Sequence, residues 1–186
     1  MAHFVADVRQ WETLDDFCKH LSAHNPAVCG WVQRIVLHHT AIPTATQWRG
    51  LASMRNIRTY YDTKLGWSCG PHLFISGDAI NPLDRGIFQL TPLNHQCDTH
   101  SNNCNGNSIA IEVVGNYDRE CWRPATTALV TGAAAAFLRW RGLPIAPATV
   151  AGHRQCGSKK TCPGTKIDLT LVRQQIITAG ASLTHV

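Results

Sequence analysis

Between Thr149 and Asp168 the chain reads TVAGHRQCGSKKTCPGTKID, which packs a histidine, two cysteines, a run of cations and a Pro-Gly turn into twenty residues. That density of donors is more than a connection needs. His153 and Cys162 read as two ligands of one metal, because a thiolate and an imidazole nine positions apart suit zinc, which takes both donors without redox chemistry. Two ligands do not close a site. The candidates for a third are His38, His39, His72, His95 and His100, and His38 is preferred because the β-branched run RIVLH would hold it rigidly. Two imidazoles and one thiolate leave the fourth tetrahedral position to water, as in a catalytic zinc, where the ion brings the water's pKa to about 7 and polarises a carbonyl. Glu112 is the natural general base for that water. Lys160, two residues before Cys162, is placed to donate to the oxyanion that forms on the carbonyl.

These residues need elements to position them. TLDDFCKHLS carries Leu14, Phe17, Cys18 and Leu21 at helical spacing behind a Thr13 cap. Residues 34–38 read as a buried strand with His38, His39 and Thr40 at its exit. Thr44 with Gln47 forms a capping box that starts a long helix to about Leu65, with Trp48, Leu51, Met54, Ile57, Tyr61 and Leu65 as its core stripe. HLFIS and the segment from Ile87 to Leu90 read as strands separated by a tight turn. Residues 91–107 form a polar loop long enough to suggest a rim of the site. In SIAIEVV the period of two puts Ile109, Ile111 and Val113 on one face and Ala110, Glu112 and Val114 on the other. A carboxylate in so apolar a strand is costly unless it is solvated, paired or used. Pro124 to Arg141 reads as a helix, and Asp168 caps a last helix stopped by Gly180.

Interspersed strands and helices predict one α/β domain with a central mixed β-sheet flanked by helices: an N-terminal extension over residues 1–30, then a motif-bearing core over 34–168. At 186 residues the chain can bury a core without covalent staples. With 16% charged and 44% hydrophobic residues it is globular. Its net charge of +5 favours anionic partners, but Lys and Arg are scattered rather than clustered, so nucleic acid is not the expected partner. No window reaches the ~18 apolar residues of a spanning helix, so no membrane partner is expected. The start, MAHFVADVRQWE, shows no basic segment followed by an apolar one, so the expectation is synthesis in a cytoplasm without a secretory signal. The eight cysteines are then expected to be mostly reduced. A bridge from Cys97 to Cys104 would staple the long loop in an oxidising space, a bridge from Cys156 to Cys162 is discounted because it would remove a ligand, and Cys18, Cys29, Cys69 and Cys121 read as buried thiols.

IVLHHTA, GPHLFI, the loop histidine of DTHSNN, SIAIEVVGNYD and VAGHRQCGSKKTCPGTKID stand in the order and spacing of a known family. In these motifs the chain resembles the zinc-dependent N-acetylmuramoyl-L-alanine amidases, which include phage lysozyme-type amidases, cytoplasmic recycling amidases and peptidoglycan recognition proteins. The resemblance runs from about Arg34 to Asp168. It implies the family's α/β fold, one Zn2+ on His38, His153 and Cys162, and hydrolysis of the amide between N-acetylmuramic acid and L-alanine of the stem peptide. Glu112 matches the acid/base glutamate of the cytoplasmic branch, and Lys160 matches a lysine of the phage type. His72 and His100 match positions lining the substrate groove, beside His39. Pro71 stands where many relatives carry a catalytic tyrosine, so that role is absent or passes to Glu112. The implied setting is a monomeric cell-wall-lytic endolysin acting on peptidoglycan after release. A muropeptide-recycling amidase and a non-catalytic wall-binding module with structural zinc are the alternatives.

Overall fold

The computed structural model describes residues 4–100 and 102–183. Among the described residues six strands form one mixed sheet: β1 (Arg9–Trp11), β2 (Arg34–His39), β3 (Leu73–Ser76), β4 (Gly86–Gln89), β5 (Ser108–Val113) and β6 (Val150–Gly152). Their order across the sheet is β1-β4-β3-β5-β2-β6, with β1, β4 and β3 antiparallel and β3, β5, β2 and β6 parallel. The flanking helices are α1 (Leu14–Ser22), α2 (Gly50–Thr63), α3 (Pro124–Trp140) and α4 (Leu169–Ser182).

Strand alternation divides the sheet into two faces. Ile35 and Leu37 of β2, Ile75 of β3, and Ile109, Ile111 and Val113 of β5 are fully buried in the larger core cluster together with Phe17, Val130, Phe137, Val172 and Ile176 of the helices α1, α3 and α4. Removing each such side chain from water contributes roughly 1.5–3 kcal/mol. Ala133 to Ala136 of α3 are all fully buried, since α3 is enclosed by the sheet, α1 and α4 and only small side chains let the helices close in. Trp48, Met54, Phe74, Phe88 and Val114 make a second core under α2 on the opposite face, and Val36 with Ala151 packs there against Cys104 and Cys156. His38 of β2 and Glu112 of β5 alternate onto this same face, near the strand ends.

Helices α1 and α4 begin where their caps predict: Thr13 Oγ1 accepts from Asp16 N at 3.1 Å, and Asp168 Oδ1 accepts from Thr170 N at 2.8 Å. Two expectations need correction, and two short strands escape the sequence reading. Helix α2 starts at Gly50 and not at Thr44, because the capping pair Thr44 and Gln47 closes only a single turn. Trp48 N bonds to Thr44 O, and Gly50 at φ +51° breaks the path before the helix proper. Gly180 does not stop α4, which runs to Ser182 while Arg139 Nη1 holds the Gly180 carbonyl at 2.8 Å. The three-residue strands β1 and β6 carry too little periodic signal to be read from sequence.

The thiols also depart from expectation. Two disulfides form, Cys69–Cys97 and Cys104–Cys156, whereas Cys97 does not pair with Cys104, Cys69 is not a free thiol and Cys121 is exposed rather than buried. Folding brings residues 28 and 52 positions apart to Cα separations of 6.0 and 5.5 Å, the range a disulfide requires. Cys18, Cys29 and Cys162 remain buried thiols. Both bridges end in the long loop 91–107.

Candidate active site and metal centre

The site lies at the carboxyl ends of the parallel strands, where α/β sheets present loops to a cleft. In the parallel β2–β5 register His38 stands opposite Glu112, and Phe74 of β3 flanks Glu112 on its other side. Strand β6 runs directly into a 3-10 turn that begins at His153. The segment after that turn returns Cys162 to the cleft, so that one ligand atom each from His38, His153 and Cys162 lies within 4.8 Å of the others. All three residues are buried, and the two imidazole rings are 4.4 Å apart between centroids.

The placement of Cys162 depends on contacts outside the sequence motif. Arg154, the residue after His153, donates through its backbone N to Cys162 O at 2.8 Å. Its guanidinium reaches the carbonyls of Thr161, Gly164 and Ile167 at 3.3, 2.6 and 2.7 Å. From the other side Asp118 accepts from Thr161 Oγ1 and Thr165 N, both at 2.8 Å. Those bonds hold its carboxyl below the usual carboxylate range. Gly164 sits at φ +116° with Tyr117 backbone atoms 2.4 Å from where a Cβ would be, so the turn closes only with glycine. Sequence reasoning passed over Arg154 and Asp118, because a guanidinium that serves main-chain carbonyls leaves no pattern of spacing.

Burial governs the chemistry of the donors. It pushes the Cys162 thiol up to about 12, with the Glu112 charge adding to the effect, and pushes His38 and His153 below the ordinary imidazole range. The imidazoles are therefore neutral and ready to donate lone pairs, while the thiol needs a cation beside it to become a thiolate. Glu112 is pushed up to about 8 by burial, against the opposing charge of Lys160. Its Oε1 is 3.8 Å from His38 Nδ1, and its Oε2 is buried without a hydrogen-bond partner among the described residues. Two neutral imidazoles, a thiol that requires a cation and an unpaired carboxylate oxygen fit a zinc site with an adjacent proton carrier.

Two chambers meet here. One, of about 570 Å³, is lined by His38, Glu112, His153, Lys160 and Cys162, with Trp67 and Pro71 on its wall. The other, of about 600 Å³, runs along α2 past Ile42, Ser53, Asn56 and Tyr60. His39, Thr40, Tyr61 and Glu112 line both, which makes one continuous groove. Lys160 is exposed on the rim, and its charge reaches Glu112, His38, His153 and Cys162. His39 presents its ring to both chambers, accepts from Tyr117 N through Nδ1 at 3.1 Å and directs its own backbone N–H to Cys162 Sγ at 3.4 Å.

Two residues expected in the groove lie elsewhere. His72 is fully buried, with Nδ1 accepting from Ala110 N at 3.1 Å and Nε2 donating to His95 O at 3.0 Å. It satisfies a strand amide beyond the end of the β3 ladder and has no ring nitrogen left for a substrate. His72→Phe should cost roughly 2–4 kcal/mol of stability by orphaning both backbone groups, read by denaturant unfolding, with metal content unchanged. His100 meets His38 instead, its Nδ1 being 2.8 Å from His38 Nε2. Tyr61 packs against the core under α2, as its stripe predicts, and also lines both chambers. Its ring stacks on Trp67 at 4.9 Å and lies against Gly70, where a Cβ would come within 2.7 Å of it. A phenol hydroxyl at the edge of an apolar stripe was the only sequence sign of it.

Residues 29–165 match the family described as N-acetylmuramoyl-L-alanine amidase. Peptidoglycan-recognition protein SC2 of Drosophila simulans is 29% identical over 143 residues, which are 76% of this chain and 73% of that protein. Among solved structures, a mutant of Drosophila PGRP-LB in complex with tracheal cytotoxin superposes with a TM-score of 0.63 at 18% identity, covering 99% of this chain and 90% of that one. The N-acetylmuramoyl-L-alanine amidase LysC of Clostridium intestinale gives a TM-score of 0.60 at 19% identity over 78% of this chain and 85% of LysC. Identities this low establish a shared fold, a mixed sheet with flanking helices.

Proposed function

The chain belongs to the N-acetylmuramoyl-L-alanine amidase family, and on that premise we propose that it is a zinc hydrolase that cuts peptidoglycan between N-acetylmuramic acid and L-alanine. One observation carries the reading: the donor atoms of His38, His153 and Cys162 converge within 4.8 Å, beside Glu112, whose buried Oε2 has no partner among the described residues. A zinc ion held by these three residues supplies Lewis acidity at the scissile carbonyl. Glu112 takes the proton from the attacking water as the new C–O bond forms and delivers it to the alanine nitrogen as the C–N bond breaks. A carboxyl whose affinity for protons is raised by burial is suited to carrying one between two sites. Lys160, on the rim above Glu112, places positive charge where the carbonyl oxygen turns negative. Tyr61 and Trp67 give the groove a stacked aromatic wall against which an apolar sugar face packs, and the chamber along α2 takes the stem peptide.

The setting that fits best is the cell wall after release, as for an endolysin. The charge of +5 favours adhesion to anionic wall polymer. Two disulfides suit an oxidising space better than the reducing interior where soluble muropeptides are recycled. The direct test is turnover: purified protein should release new L-alanine amino termini from peptidoglycan, lose this with a chelator and regain it with zinc. Binding of muropeptides without any new amine would make it a recognition module instead.

A further inference from the structure

Loop 91–107 carries His100 between two staples. Cys97, three residues before it, is bridged to Cys69, and Cys104, four residues after it, is bridged to Cys156, three residues past His153. Inside the loop, His100 N donates to Asn105 Oδ1 at 3.0 Å and Gly106 N to Asp98 Oδ1 at 2.8 Å. Cys104 and Cys156 are themselves buried against Val36 and Ala151 of the sheet. The loop is thus fixed at both ends and cross-braced, and its product is one contact, His100 Nδ1 at 2.8 Å from His38 Nε2.

We propose that His100 is a positioning residue for the cation site and that the Cys104–Cys156 bridge holds it to that task. A neutral imidazole offers one lone pair and one N–H. With Nε2 of His38 donating to His100 Nδ1, the lone pair of His38 is confined to Nδ1, the nitrogen that faces Glu112 Oε1. An acceptor on the far nitrogen fixes the tautomer and ring orientation of a metal-binding histidine and makes it a better donor. The bridge fastens the same loop to the turn that begins at His153, so the loop cannot carry His100 away from His38. The acceptor beside His38 is a histidine presented by a loop, where a carboxylate or main-chain carbonyl commonly serves.

This inference rests on the cation-site reading but not on amidase turnover, so its test is zinc affinity without substrate, by competition with a chromophoric chelator. His100→Ala should weaken zinc binding by about 10- to 100-fold. His100→Asn, whose Oδ1 occupies nearly the place of Nδ1, should recover most of that loss. The pair Cys104→Ser and Cys156→Ser should weaken zinc by a similar factor in the otherwise unchanged protein and by little once His100 is alanine, since both act through one contact. Wild-type affinity in His100→Ala, or equal weakness of the alanine and asparagine variants, would overturn the proposal. So would additive losses on combining the variants. A parent protein that binds no zinc would sink the cation site itself, and with it this inference.

Discussion

Cys162→Ser protein should purify without stoichiometric zinc and release alanine amino termini at least about 10³-fold more slowly than the parent, a loss of about 4 kcal/mol of transition-state stabilisation. A serine hydroxyl stays neutral and donates weakly, so the site loses its anionic ligand although the side chain keeps its size. His38→Ala should do the same from the other wall of the cleft. The environment adds a pH dependence. Because burial pushes the Cys162 thiol up to about 12, zinc must displace a proton to bind there, and affinity should fall as pH is lowered. Elemental analysis beside the peptidoglycan assay checks both statements. A Cys162→Ser protein holding one zinc per chain would show that the third ligand has been misassigned.

Glu112→Gln separates metal from rate. Glutamine keeps the volume and one acceptor but cannot carry a proton, so the variant should retain zinc and lose about 10²- to 10⁴-fold in turnover. It should also be the more stable protein once zinc has been chelated away. The folded carboxyl titrates at about 8 against a reference of 4.5, so the native state holds its proton more tightly than the unfolded chain does. Stability is therefore intact below about pH 4.5 and falls as pH rises toward 8, by roughly 3–5 kcal/mol in all. Glutamine does not titrate and escapes that decline, so chelated Glu112→Gln should unfold later than chelated parent at pH 8.5 and together with it at pH 4.5. Zinc-loaded Glu112→Gln that turns over normally would mean that another group carries the proton.

Part of this site was legible before folding was considered. The strand RIVLH, the period of two that sets Glu112 apart from Ile111 and Val113, and the caps at Thr13 and Asp168 are local properties, decided by a few neighbouring residues. His153 and Cys162 were legible as a pair from donor type and spacing, His38 from its strand, and the order of five separated motifs implied the same grouping. Other features lay beyond reach. Helix α2 was extended back to Thr44 because nothing in the periodicity marks the left-handed turn at Gly50. Tyr61 and Leu65 share one stripe on paper, yet Tyr61 packs against the core and lines the groove while Leu65 is exposed.

What the residues settled by themselves is the set of donors: which side chains can bind a cation, which strand faces are apolar and where helices begin. What only the tertiary structure decided is who meets whom. The parallel register sets His38 opposite Glu112, three-residue β6 delivers His153, Arg154 and Asp118 seat Cys162, and His72 goes to a strand amide while its fellow His100 goes to His38. The cysteine pairing belongs with these, since eight thiols admit many pairings and only the approach of distant segments selects two. The physical reason is common to all: a donor's chemistry is a property of one side chain, whereas its partner is chosen by the packing of segments dozens of residues apart.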